Sequence, residues 1–209
     1  MQFLCYFRRK HTLFLAKGTT ALFLKRKKTH SGKILANTLA TVFALYFLIT
    51  VFGDHSSHFN PVVSMVMLVR KEISTQVCTV FIILQISGAI LGVMLANYIF
   101  ELDPVYFSEK PRSGTHLFVS EILATFGLLM VILLSSKEKV AVTVAAYIGA
   151  AYWFTSSTSF ANPAGTIGRS FSNTFAGIST NDILHFCVAQ IIGAFLALFV
   201  YKTFFESQK

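Results

Sequence analysis

The chain has 209 residues, 54% of them hydrophobic and 13% charged, where a soluble domain carries about 25% charged residues. With 22 Phe and a mean hydropathy of +0.63, the composition excludes a soluble globular domain and points to a polytopic membrane protein of one compact domain. The net charge of +9 resides wholly in residues 1–33, which hold nine basic residues and no acid, so it does not argue for nucleic acid as a partner of the whole chain.

Taken in order, residues 1–33 form a basic segment whose apolar patches are interrupted by Lys17 and by the run Lys25 to Lys28. This segment is expected to lie outside the membrane unit, which spans 34–205, and residues 206–209 form a tail. Five runs approach the roughly 20 apolar residues needed to cross a bilayer core: Ile34–Phe52, Thr75–Phe100, His116–Leu134, Val140–Phe154 and Ile183–Phe205, the fourth being short. Two more, Asn60–Val69 and Asn162–Phe175, are too short, because about ten helical residues reach only halfway at about 1.5 Å each. Cys5, Cys78 and Cys187 have no metal or redox spacing, and the latter two read as small hydrophobes within apolar runs. No nucleophile–base pair or metal-ligand cluster is visible, so neither an enzyme nor a cofactor or metal site is expected.

Each short run opens with Asn-Pro: "HFNPVVSMV" at 58–66 is echoed by "SFANPAGTI" at 159–167. Downstream, "QISGAILG" at 85–92 is echoed by "QIIGAFLA" at 190–197. A repeated half-span followed by a full span suggests two inverted halves around a shared axis. Proline suits the first helical position and Asn is a strong N-cap whose amide remains available to a lumen. Irregular backbone at membrane depth survives only where protein buries it or it lines a cavity. Two half-helices meeting nose to nose would repel cations with their positive dipole ends and offer amide hydrogen bonds to neutral molecules. Both stretches therefore read as re-entrant pore loops. The paired glycines and alanine at 88, 92, 193 and 197 read as small-xxx-small packing faces.

These motifs resemble the major intrinsic protein family, the aquaporins and glycerol facilitators, over residues 34–205. The twin boxes are Asn60-Pro61-Val62 and Asn162-Pro163-Ala164, the first departing from Asn-Pro-Ala at its third position. The resemblance implies an all-α inverted repeat with two re-entrant half-helices, working as a passive channel for water and small uncharged solutes. It also implies a homotetramer in a cell (inner) membrane. "VSEILATFGLL" at 119–129 is similar to the family's fourth span, with Glu121 where a buried glutamate steadies the second loop. An acid within a span needs a partner, and backbone N–H groups around Asn162 are the expected one; His58 is expected to brace the first loop. Matched by spacing, the family's constriction falls on Thr41, Ala150, Ser159 and Gly165, with glycine where the family has arginine. Small side chains there imply a wide pore for glycerol, urea or metalloid acids such as arsenite. A bacterial branch that lacks this arginine and has a similar "TSFANPA" run is associated with arsenite. Arg169, four residues after Gly165 and on the same helical face, is expected at the pore mouth or as a support for the loop.

The resemblance implies six spans, whereas the chain shows five, the first being absent. With Lys137 and Lys139 cytoplasmic, the loop of Arg70 and Lys71 is cytoplasmic too, and the nine N-terminal charges fall outside, against the positive-inside rule. Two expectations follow: a channel that works without a native first span, or a non-conducting, N-terminally incomplete relative.

Overall fold

A computed structural model describes residues 30–54 and 57–206. Seven α-helices follow one another: α1 His30–Phe52, α2 Pro61–Val69, α3 Thr75–Ile99, α4 Thr115–Leu134, α5 Val140–Phe154, α6 Pro163–Arg169 and α7 Ile183–Phe204. A single 3-10 turn, Thr180–Asp182, leads into α7. No strand occurs among the described residues, only an isolated parallel bridge between Tyr106 and Ser172. Four helical stretches, Ser31–Phe52, Thr75–Ile99, Thr115–Leu134 and Thr180–Phe204, are long and apolar enough to cross a membrane, and Val140–Phe154 is a shorter apolar helix.

These sequences carry their few polar groups without breaking the helices. The hydroxyls of Thr38, Thr50, Thr79 and Thr203 each donate to the carbonyl four residues back, so these four donors are paired within their own helices. Large apolar side chains point outward, with Phe43, Phe199 and Leu184 about two thirds exposed or more. The interior instead collects small residues, including Ala89, Ala124, Ala194 and Ala197, all fully buried. Gly193 shows why: a Cβ there would collide with the carbonyl of Ile122. Its absence lets α7 lie directly on α4, the most extensive helix pairing in the fold.

The remaining contacts respect the repeat. Helix α1 packs on α5, α3 on α6, and α2 on both α3 and α7, while α2 and α6 meet each other. Helix α6 is shorter than the apolar run suggested, ending at Arg169 rather than continuing to Phe175. The reason is competition for backbone groups. Ser108 N donates to Ser170 O at 2.8 Å and Tyr106 N to Phe171 O at 3.3 Å, pairing residues 170–171 with the loop before α4 instead of with a further helical turn. Helix α1 starts earlier than expected, at His30, and residues 1–29, which hold most of the basic segment and Cys5, lie outside the described residues.

Candidate functional site: a lumen between two half-helices

Asn60 and Asn162 have extended backbones, with φ of −152° and −159°, and cap α2 and α6 ahead of Pro61 and Pro163. Each side-chain oxygen accepts a backbone N–H of its own helix: Val62 N at 3.2 Å and Gly165 N at 3.1 Å. Each amide nitrogen crosses to the other loop. Asn60 Nδ2 donates to Ala161 O at 2.7 Å, and Asn162 Nδ2 donates to Phe59 O at 2.9 Å. The carbonyls are presented by residues in the left-handed region, Phe59 at φ 46° and Ala161 at φ 45°. Side chains with a Cβ disfavour that conformation by about 1–2 kcal/mol, and the reciprocal lock offsets the strain. An amide nitrogen has two hydrogens, so after locking the loops each Asn keeps one N–H.

Glu121 is fully buried and secures the second loop. Its carboxylate accepts from Phe160 N at 2.8 Å, from Ala161 N at 2.9 Å and from Gln190 Nε2 at 2.6 Å. Gln190 also donates to Thr166 Oγ1 of α6 at 2.9 Å. The first loop has a different brace: His58 Nδ1 lies 3.2 Å from Ser64 Oγ, to which Gln85 Nε2 donates at 3.0 Å. His58 also packs edge-on against Phe81. Gln85 and Gln190, visible in sequence as a repeated motif, thus tie the spans α3 and α7 to the half-helices.

A cavity of about 240 Å³ runs along this junction, lined by both Asn residues and by Thr41, Ser159, Gly165 and Arg169. Its wall toward the Arg70 end is hydrocarbon, with Val63, Met67, Leu128 and Val144. Of the residues matched to the constriction by spacing, Ala150 stands apart: it is exposed on the outer face of α5 with Val142 and Trp153, and it does not line the cavity. Tyr152, only 2% exposed, lines it instead. Val62 and Ala164 are fully buried beneath the capped turns, and Pro61 and Pro163 are buried beside them.

Arg169 reaches back toward the lumen. Its Nη2 donates to the Tyr152 hydroxyl at 3.0 Å, and its Cζ lies 4.1 Å from the centre of the Phe160 ring. Its Nη1 is buried without a hydrogen-bond partner, and so is Ser159 Oγ. A second cation, Arg112, also stacks on Phe160, at 4.6 Å. Nothing in the sequence marked this loop residue, yet it is 5% exposed and pins the loops. It donates to Gly177 O at 2.8 Å and Ser157 O at 2.9 Å, and its backbone N–H reaches Asp182 Oδ2 at 2.7 Å. Burial first, and Arg169 second, push its pKa down to about 10, which leaves it charged at neutral pH. Lys110 donates to Phe175 O at 2.6 Å. Burial, then Arg112, Lys33 and Arg169, lower its pKa to about 8. Three cations, Arg169, Arg112 and Lys110, thus lie near this end of the lumen, with the Asp182 and Glu121 carboxylates among them. Among the described residues no group of His, Cys, Asp and Glu is arranged to hold a metal ion.

The sequence matches the major intrinsic protein family over residues 10–201, a span that reaches into the basic N-terminal segment. Aquaglyceroporin AqpS of Rhizobium meliloti (strain 1021) is 44% identical over 169 residues, covering 79% of this chain and 72% of the relative. A probable aquaporin TIP-type alpha of Phaseolus vulgaris is 31% identical over 102 residues, 47% of this chain and 40% of that protein. In architecture the chain is similar to the aquaglyceroporin from Plasmodium falciparum, with a TM-score of 0.73 at 21% identity, covering 99% of this chain and 97% of that one. Half-helices capped by locked asparagines, a lumen along their junction and a match over most of the length lead to one conclusion: the chain belongs to the major intrinsic protein family, membrane channels for water and small solutes.

Proposed function

We propose that this chain is a passive channel of a cell (inner) membrane for small uncharged solutes such as glycerol, urea or trihydroxy metalloid acids, with water following. The observation that carries the reading is the pair of locked Asn amides set against an apolar wall in one cavity. Each locked Asn amide keeps one N–H for a passing hydroxyl, while Val63, Met67 and Val144 give passing molecules an apolar wall. A neutral polyol, with hydroxyls on one side and carbons on the other, matches such a surface. A cation entering past Arg169, which lines the cavity, meets its repulsion in a low-dielectric site. The aquaglyceroporin name of the 44%-identical relative supports the polyol class. A homotetramer is proposed from the family and from the outward-facing large apolar residues such as Leu184 and Phe199.

The test is light scattering of proteoliposomes shocked separately with sucrose, glycerol and a neutral metalloid acid. Re-swelling with glycerol or the metalloid, and none with sucrose, is the expected result. Rates equal to those of empty liposomes for every solute would instead favour the non-conducting relative.

A further inference from the structure

Residues 157–161 deliver the Ala161 carbonyl to Asn60, and they do so through strained backbone. Thr158, Ser159 and Ala161 all lie in the left-handed region, which a Cβ disfavours, so this path persists only where it is held at several points. Glu121 holds it by the N–H groups of Phe160 and Ala161. The carbonyl side is held by Arg112, from the loop between α3 and α4. Its Nη1 donates to Ser157 O at 2.9 Å, and its Cζ lies 4.6 Å from the centre of the Phe160 ring. The same guanidinium reaches the chain leaving α6: Nε donates to Gly177 O at 2.8 Å, and Nη2 lies 3.5 Å from Phe175 O. A planar fork of five N–H donors serves several carbonyls in fixed directions, which an ammonium does not. The chain leaving α6 is itself a wall of the lumen, for Ser172, Thr174 and Ala176 line the cavity. The residues between them are fastened to the same loop: Phe171 O accepts from Tyr106 N, Asn173 Oδ1 from Glu109 N and Phe175 O from Lys110 Nζ. Arg112 joins this wall to the entry of α6 with one side chain.

We infer that Arg112 is a positioning residue for conduction: working opposite Glu121, its guanidinium sets the path of residues 157–161, and with it the meeting of Ala161 O and Asn60, although Arg112 itself does not line the cavity. This rests on the channel reading above. It adds that the loop joining the two halves of the repeat governs how well each lumen conducts. A residue that only supports the fold changes how many channels fold. A positioning residue changes how each folded channel conducts, and the two are separable by measurement.

The experiment measures glycerol flux per folded channel, and its temperature dependence, in proteoliposomes of the full chain for wild type, Arg112→Met, Arg112→Lys and Lys110→Met. Only protein that elutes as a single species is reconstituted, so the flux is normalised to folded channel. Arg112→Met keeps much of the side chain's length and loses every side-chain donor. It should lower the flux per channel by about tenfold or more, the scale of one lost hydrogen bond to a charged group, and steepen its temperature dependence. Arg112→Lys keeps the charge but not the fork, and should recover part of the flux. Lys110→Met removes a charge and a carbonyl hydrogen bond from the same loop, at Phe175 rather than at Ser157, and should lose much less than Arg112→Met. Wild-type flux and temperature dependence in folded Arg112→Met would overturn the inference while the channel reading stood, whatever the yield of folded protein. Equal losses in Lys110→Met and Arg112→Met would overturn it as well. If Arg112→Met elutes as aggregate, Arg112→Lys decides alone: a lower flux per channel with a steeper temperature dependence supports the inference, and wild-type values overturn it. A wild type that matches empty liposomes would overturn the channel reading itself, and this inference with it.

Discussion

Glu121 accepts three hydrogen bonds in a fully buried site, and each donor left unpaired there costs about 1–3 kcal/mol. Glu121→Ala strands two backbone N–H groups and Gln190. We expect it to lose about 2–4 kcal/mol of stability and to lose solute flux, because the loop presenting Ala161 O to Asn60 is no longer held. Glu121→Gln keeps the shape but turns an N–H toward other donors, so its thermal midpoint in detergent should fall between wild type and alanine. Equal midpoints for all three would show that the loop stands without the carboxylate. Lys110 gives a pH-dependent counterpart. Its pKa is lowered to about 8, chiefly by burial, so the folded state releases its proton at lower pH than the unfolded chain. Between about pH 8 and the ordinary lysine value the unfolded state binds more protons, and stability therefore rises with pH in that window. Measured against Lys110→Met, the wild-type midpoint should gain as pH climbs through that range. A difference independent of pH would contradict the assignment. At this scale the site was partly legible. Asn-Pro twice, and an acid inside a span, are rare enough in a membrane chain to identify themselves. Arg112 was not legible, because one basic residue in a loop looks like any other until Phe160, Ser157 and Gly177 close around it.

At the scale of elements, α5 shows where spacing fails. Its residues are apolar on every face, so no periodicity says which side is inward. Counting back from Asn162 by the family's spacing selects Ala150, whereas the inward face carries Val144, Ile148 and Tyr152. The path between α5 and α6 is compacted by the turn bond from Thr158 N to Thr155 O, and by left-handed residues at Thr158, Ser159 and Ala161. Such a path presents a residue two positions later on the helix. Ala150→Leu is therefore expected to leave glycerol permeability within about twofold of wild type, as a substitution on an exposed face should. Stopped-flow measurement on that variant checks it, and a blocked lumen would return Ala150 to the constriction. The early end of α6 has a similar cause: the run to Phe175 reads as one apolar stretch, but the carbonyls of residues 170–171 accept from the loop before α4. That long-range pairing has no local signature. The long helices, by contrast, were legible to within a few residues, because an unbroken apolar run has no other low-energy state in a membrane.

At the scale of the whole molecule, the inverted repeat seen as two echoed motifs is realised as α2 and α6 meeting, with α3 packed on α6 and α2 on α7. The halves are not equivalent in chemistry. The second loop hangs on a carboxylate, the first on His58, Ser64 and Gln85, and the cations collect at the Lys110 end. Charged groups thus lie at both ends, with Arg70, Glu72 and Glu206 paired at the opposite one. Residues 1–29, most of the basic segment 1–33, lie outside the described residues. On the proposed reading, the cross-locked asparagines frame a conducting lumen. The most direct test is glycerol permeability of proteoliposomes, as a function of temperature, for wild type, Asn60→Asp and Asn162→Asp. Wild type should exceed empty liposomes with a weak temperature dependence. Each aspartate, unable to donate to the opposite carbonyl, should reduce the rate by about tenfold or more, which amounts to at least about 1.4 kcal/mol of barrier. Wild-type rates that match empty liposomes, in magnitude and in temperature dependence, would contradict it.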